Sequence, residues 1–157
     1  MEHIKRDLSN DTNKCVLCVD VNNSNDRKNL ILFRGKFSFI IMNLYPYNNG
    51  HLMVCPYKHI ASLSKLNEET LSEIMKLISK SSEILKKTLN AEGFNIGANI
   101  GSVGGAGIDD HLHFHVVPRW KGDTNFMPVV GNTKVIMSGL HDTYDELFFH
   151  FQKGLAK

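Results

Sequence analysis

The chain has 157 residues, 42% hydrophobic and 22% charged, which suits one globular domain with a core large enough to fold without cross-links. A formal net charge of +2 from scattered Lys and Arg argues against a nucleic-acid groove and is compatible with a small anionic ligand. The longest apolar runs, such as Phe37 to Met42, are too short to span a bilayer, and the N-terminus lacks the apolar stretch of a signal peptide. Three cysteines are an odd number for a disulfide framework, so a cytoplasmic protein with thiol or metal chemistry is expected.

Residues 1–14 are polar, with the coil-forming run Ser9-Asn10-Asp11-Thr12-Asn13, and read as an N-terminal extension of a single domain over 1–157. Cys15-Val16-Leu17-Cys18 follows, then a polar loop from Asn22 to Lys28. Asn29 to Arg34 and Lys36 to Asn43, rich in Phe and Ile and split by Gly35, predict a hairpin. Tyr45-Pro46-Tyr47-Asn48-Asn49-Gly50 is a turn, and His51 to Cys55 a third strand stopped by Pro56.

From Asn67 the period changes. Leu71, Ile74, Met75, Ile78, Leu85 and Leu89 recur at helical spacing with Lys and Glu opposite, which predicts one long helix with all six as core contacts. Asn67 can cap its start, and Glu68 and Glu69 suit the positive end of its dipole. Phe94 to Ile100 returns to strand character, Gly101 to Gly107 is a glycine-rich loop, and His111 to Pro118 is a further strand. A short strand at Lys134 to Met137 and a helix from Asp142 to Lys153, within a C-terminal helical tail over 138–157, complete the chain. Short links between the early strands favour antiparallel pairing, so the expected fold is α+β: an antiparallel meander of about five strands with helices on one face.

The segment His111-Leu112-His113-Phe114-His115 carries the most chemistry. If it is extended, the three imidazoles share one face and Leu112, Phe114 and Val116 the other, with ~6.6 to 6.8 Å between successive histidines. One histidine on a strand usually has a structural explanation. Three in register add a desolvation cost that Val or Ile would avoid, which favours a functional row, catalytic or metal-binding. Cys15-x-x-Cys18 has the spacing of half a structural zinc site, to be completed by two ligands from elsewhere; the competing reading is two small buried hydrophobes. Cys55, alone on an apolar run, is expected in the core.

His111-Leu112-His113-Phe114-His115-Val116-Val117 resembles, without substitution, the His-φ-His-φ-His-φ-φ signature of the histidine triad (HIT) family of nucleotide hydrolases and transferases, φ being apolar. Phe37 to Pro56 and Gly93 to Arg119 also look like that family's strands and loops. Pro118-Arg119-Trp120, with Gly122 to Val129, is similar to the branch acting on diadenosine polyphosphates.

The resemblance implies cleavage of a dinucleoside polyphosphate such as diadenosine tetraphosphate, an adenylyl-transfer reaction. His113 would be the nucleophile that forms a nucleotidyl-histidine intermediate, and water or inorganic phosphate the acceptor. His115 would donate to a phosphate or leaving-group oxygen, and His111 would orient the site or hold a metal. Asn43 would contact ribose and Asn99 phosphate, although both also fit plain turn-forming roles. Gly105, Ala106 and Gly107 would offer backbone N–H groups to phosphate. A structural zinc on Cys15, Cys18, His59 and His111 is also implied, as is a homodimer whose two sheets join; nucleic acid and membrane are not expected partners.

Many enzymes of the diadenosine triphosphate branch carry a glutamine in the loop before the triad. This chain has Gly107 there, which bears on the phosphate chain length of the substrate and not on the nucleophile. Arg119 reads evenly as a phosphate contact or a salt-bridge partner, and Trp120 and Phe126 as covers for a base or an oligomer contact. Two alternatives are a purine nucleoside phosphoramidase and a nucleotide- or zinc-binding regulatory module without turnover. The first is disfavoured by the ending Gln152-Lys153-Gly154-Leu155-Ala156-Lys157, where those relatives carry a Trp-Pro-Pro-Gly type.

Overall fold

Strands form where apolar runs sit between turn residues, and helices where the period lengthens. The computed structural model describes residues 15–20, 22, 24–123 and 139–155. In chain order the elements are α1 (Asp26–Asn29), β1 (Ile31–Arg34), β2 (Ser38–Met42), β3 (Leu52–Pro56), α2 (Glu68–Leu89), β4 (Gly93–Gly97), β5 (Phe114–Arg119) and α3 (Leu140–Leu155). The expected extension over 1–14, the run Lys134 to Met137 and Phe126 lie outside the described residues.

The five strands make one antiparallel sheet in the order β1-β2-β3-β5-β4, confirming an α+β fold. The first three strands are the expected meander. The chain then crosses through α2, and β5 inserts between β3 and β4, a departure from a simple meander that places the start of β5 against β3. Their register pairs Leu52 with Val116, Met53 with His115 and Val54 with Phe114. Consequently the turn before β3 and the histidines before β5 meet at one place in the sheet.

Asn67 Oδ1 accepts the backbone N–H of Thr70 at 3.0 Å and caps α2 as expected. Its buried stripe is Ile74, Leu77, Ile78, Ile84 and Leu85, packed on β3, β5 and β2. Met75 is a correction: it is 57% exposed, because one step along a helix turns a side chain about 100° away from the stripe of Ile74 and Ile78. Cys55 is fully buried in the core, as expected.

The loop expected over Asn22 to Lys28 contains the single turn α1, which Leu30 ends in the left-handed region at φ 62°. The terminal helix α3 lies on β1 and α2. Its Tyr144 hydroxyl donates to the Ile31 carbonyl at 2.8 Å, and Gln152 Nε2 donates to the Leu32 carbonyl at 3.0 Å. These bonds satisfy backbone groups where the β1–β2 register shifts, so α3 covers the β1 edge of the sheet. Among the described residues no helix is long and apolar enough to cross a membrane.

Candidate active site

The histidine segment is extended over only part of its expected span. β5 starts at Phe114, so His111 and His113 precede the strand. Pro56 on β3 has no N–H to continue the β3–β5 ladder, and its carbonyl instead accepts Nε2–H of His111 at 2.9 Å. The three imidazoles therefore do not line one strand face. His113 and His115 are neighbours, with ring centroids 4.9 Å apart at 79°, closer than two strand steps. The ring of His111 turns to Cys15, Cys18 and His59.

Hydrogen bonding assigns the tautomers. A carbonyl can only accept, so the 2.8 Å contact between His113 Nδ1 and the His111 carbonyl puts the proton on Nδ1 and leaves the Nε2 lone pair free. Although His113 is only 4% exposed, this Nε2 is not sealed off: among the described residues the fully buried, unpartnered side-chain N and O atoms are Ser81 Oγ and Thr88 Oγ1.

A fourth histidine, His51, joins the site. The backbone N–H of Tyr47 donates to His51 Nδ1 at 3.1 Å, so the His51 proton sits on Nε2 and points 2.9 Å to His115 Nδ1. His115 must accept there, which leaves its proton on Nε2 as a donor. Burial, then the neighbouring His115 and His113, push His51 down to about 4, and burial followed by His113 lowers His115. Both rings are thus neutral at physiological pH. In the sequence His51 stands only at the head of a strand, and its polarity in the otherwise apolar run to Cys55 is the signal for it.

Asn43 follows β2 and faces the same histidine. Its Nδ2 is 3.4 Å from His51 Nδ1, and its Oδ1 accepts the N–H of Tyr45 at 2.9 Å. Asn99 Nδ2 donates to the Gly105 carbonyl at 3.3 Å and closes the glycine-rich loop on itself. Within that loop Gly101 and Gly105 take φ of 74° and 85°, which side chains with a Cβ rarely adopt. The N–H groups of Gly105 and Ala106 are spent on Ser102 and Gly101 carbonyls, whereas that of Gly107 has no partner among the described residues.

Cys15 and Cys18 sit on one turn, closed by the Cys18 N–H to the Cys15 carbonyl at 3.0 Å. Ligand atoms of Cys15, Cys18, His59 and His111 all lie within 4.8 Å of one another. Sulfur-to-nitrogen distances are 3.5 Å (Cys15–His111), 3.3 Å (Cys18–His59) and 3.7 Å (Cys18–His111). A tetrahedral metal with bonds of about 2.3 Å to sulfur and about 2.0–2.1 Å to nitrogen has S···N edges of about 3.5 Å, so the group fits a metal ion. The far ring nitrogens are also held as ligand imidazoles require: His111 Nε2 by the Pro56 carbonyl, His59 Nε2 by Asp110 at 3.3 Å. Burial and the adjacent Cys15 raise the Cys18 thiol, a resistance to ionisation that a bound cation would reverse.

Arg119 forms the salt bridge, one of its two expected roles. Its Nε and Nη2 donate to the two oxygens of Asp123 at 2.6 and 2.7 Å. Asp123 also accepts from Asn48 Nδ2 at 3.0 Å, tying the segment after β5 to the turn that carries His51. Trp120 donates its indole N–H to the Leu89 carbonyl at the end of α2, at 3.1 Å.

Residues 23–122 match the family model of the HIT domain. The chain belongs to the HIT family. This HIT chain is 39% identical over 140 residues to the AP-4-A phosphorylase of Mycobacterium tuberculosis, a match covering 89% of the chain and 72% of that protein. Among solved structures, a zinc-bound histidine triad family protein from Mycobacterium smegmatis superposes with a TM-score of 0.66 at 22% identity, covering 79% of this chain and 84% of that one. A hypothetical histidine triad nucleotide-binding protein from Sulfolobus tokodaii gives 0.66 at 25% identity, with 89% and 91% covered. The HIT fold is thus shared over most of the chain.

Proposed function

We propose that this HIT protein cleaves dinucleoside polyphosphates of the diadenosine tetraphosphate type by transferring a nucleotidyl group to Nε2 of His113. The observation that carries the reading is the 2.8 Å bond from His113 Nδ1–H to the His111 carbonyl, which leaves the Nε2 lone pair free and supports the positive charge that develops on the ring during attack. As the new N–P bond forms at the α-phosphorus, the bond from phosphorus to the departing polyphosphate oxygen breaks. His115 Nε2–H donates a hydrogen bond to that oxygen and stabilises the charge left on it. An unprotonated oxygen of the acceptor then attacks phosphorus, and the N–P bond returns its electrons to His113.

Inorganic phosphate is proposed as the acceptor ahead of water, because the 39% identical relative is a phosphorylase. Asn43 is assigned to ribose, Asn99 and the loop of Gly105, Ala106 and Gly107 to phosphate, with the Gly107 N–H as the available donor. Zinc is the metal proposed for Cys15, Cys18, His59 and His111, on the strength of a two-sulfur, two-nitrogen set with tetrahedral edges. Its contribution is a cross-link between the N-terminal segment and residue 111. The same thiols suit a reducing cytoplasmic compartment.

A homodimer through β4 is proposed from the contrast between the two sheet edges. The β1 edge is covered by α3, whereas β4 forms the other edge with Ile96 48% exposed on it.

Incubation with diadenosine tetraphosphate, with and without phosphate, tests the reaction. ADP plus ATP formed only with phosphate indicates a phosphorylase; AMP plus ATP without it indicates a hydrolase; absence of product leaves a binding module. His113→Ala is expected to lose roughly 10³-fold or more in kcat while keeping the wild-type circular dichroism spectrum, and retained turnover would refute the assignment.

A further inference from the structure

Four aromatic rings form a continuous ladder through the site. Tyr47 stacks on His51 at 4.9 Å and 25°, His51 lies 5.0 Å from His115, and His115 lies 4.9 Å from His113. The inner end is the buried nucleophile. The outer end, Tyr47, is 68% exposed. With one face occupied by His51 and most of its surface in water, the phenol ring presents an open face beside the catalytic imidazoles.

This ring is held in place. The Tyr47 N–H donates to His51, and the next residue, Asn48, is anchored by its Nδ2 to the Pro118 carbonyl and to Asp123, both at 3.0 Å. A large aromatic fixed in solvent next to a reactive centre calls for a ligand surface that covers it.

The leaving group indicates which one. In-line displacement places the departing oxygen opposite His113 Nε2, and His115 Nε2–H hydrogen-bonds to it, so the departing chain leaves past His115. Tyr47 is 6.2 Å from His115 and is the exposed ring next to it. We infer that Tyr47 is the stacking platform for the nucleobase of the leaving nucleotide, the second nucleoside of a dinucleoside polyphosphate. The inference rests on the proposed reaction at His113 and deepens it: the polyphosphate and ribose between the departing oxygen and the second base are long and flexible enough to lay that base on the open face. The competing role, a cover that keeps water from His51, would affect every substrate alike.

The test compares diadenosine tetraphosphate with adenosine tetraphosphate, which offers the same adenylyl group and a leaving group without a base. Tyr47→Leu is expected to raise KM for diadenosine tetraphosphate roughly tenfold, within the range of base–aromatic stacking, with little change in kcat. The loss should be confined to that substrate, and Tyr47→Phe, which keeps the ring, should recover it. An equal loss on both substrates, or no loss on either, overturns the inference. If the unsubstituted protein cleaves neither compound, the proposed reaction itself fails, an outcome distinct from failure of the Tyr47 role.

Discussion

The carbonyl of His111 accepts Nδ1–H of His113 at 2.8 Å while the ring of the same His111 stands 3.5 Å from Cys15 Sγ. One residue thus joins the Cys/His cluster to the proposed nucleophile, by its side chain on one side and its backbone on the other. Cys15→Ser is expected to lower bound zinc from about one ion per chain to background, since a tetrahedral structural site needs all four ligands. It should also reduce the thermal midpoint and cost about 10- to 100-fold in turnover as residue 111 loosens. Elemental analysis with parallel calorimetry checks this; zinc loss without any change in midpoint would dissociate the cluster from the fold.

His51 makes stability depend on acidity. Burial foremost, then His115 and His113, lower it from 6.5 to about 4, so between those values the unfolded chain binds a proton that the folded chain does not. Its contribution is complete above pH 6.5 and is lost as pH falls towards 4, by at most about 3 kcal/mol. His115, lowered for the same leading reason, acts in the same direction. Urea midpoints at several pH values in this window should decline less steeply for His51→Gln than for the wild type, and identical slopes would contradict the burial of a neutral imidazole.

Gly50 precedes His51 with φ +73°, and a Cβ there would lie 2.5 Å from Leu89 Cδ1 and 3.2 Å from Leu85 Cδ2. Gly50→Ala therefore combines backbone strain with a clash against α2 and is expected to destabilise by about 1–3 kcal/mol. Turnover should drop with it, because the adjacent imidazole positions His115. Gly93→Ala is the control, as a Cβ there meets nothing within 4 Å. Equal denaturation midpoints for the two variants would count against this account.

Gly107 has room for a side chain: a Cβ there meets nothing within 4 Å. Gly107→Gln supplies the residue found in the diadenosine triphosphate branch and is expected to leave the thermal midpoint within about 2 °C, as a surface change does. The ratio of kcat/KM for diadenosine triphosphate to that for diadenosine tetraphosphate should rise. A fall in the midpoint, or an unchanged ratio, would remove this position from substrate selection.

Much of the architecture was legible locally. The cap at Asn67, the stripe of Ile74, Ile78 and Leu85, and the apolar strands β1 to β3 follow from periodicity, which reports the direction in which a segment is apolar. Met75 escaped because an apolar residue beside the stripe looks the same in sequence as one within it. Family resemblance points to Cys15, Cys18, His59 and His111 as a candidate ligand set, and the fold brings all four together.

By itself the sequence determined the residue types available for chemistry, the long helix and the order of the strands along the chain, because these depend on local spacing and composition. Only the tertiary structure decided that β5 enters between β3 and β4, that His111 faces the cysteines while His113 and His115 face each other, and that His51 completes the set. His51 and His115 are 64 positions apart in the chain and 2.9 Å apart in the fold. Such a contact arises from the docking of whole elements through buried surface, and no local pattern in either segment encodes the identity of its neighbour.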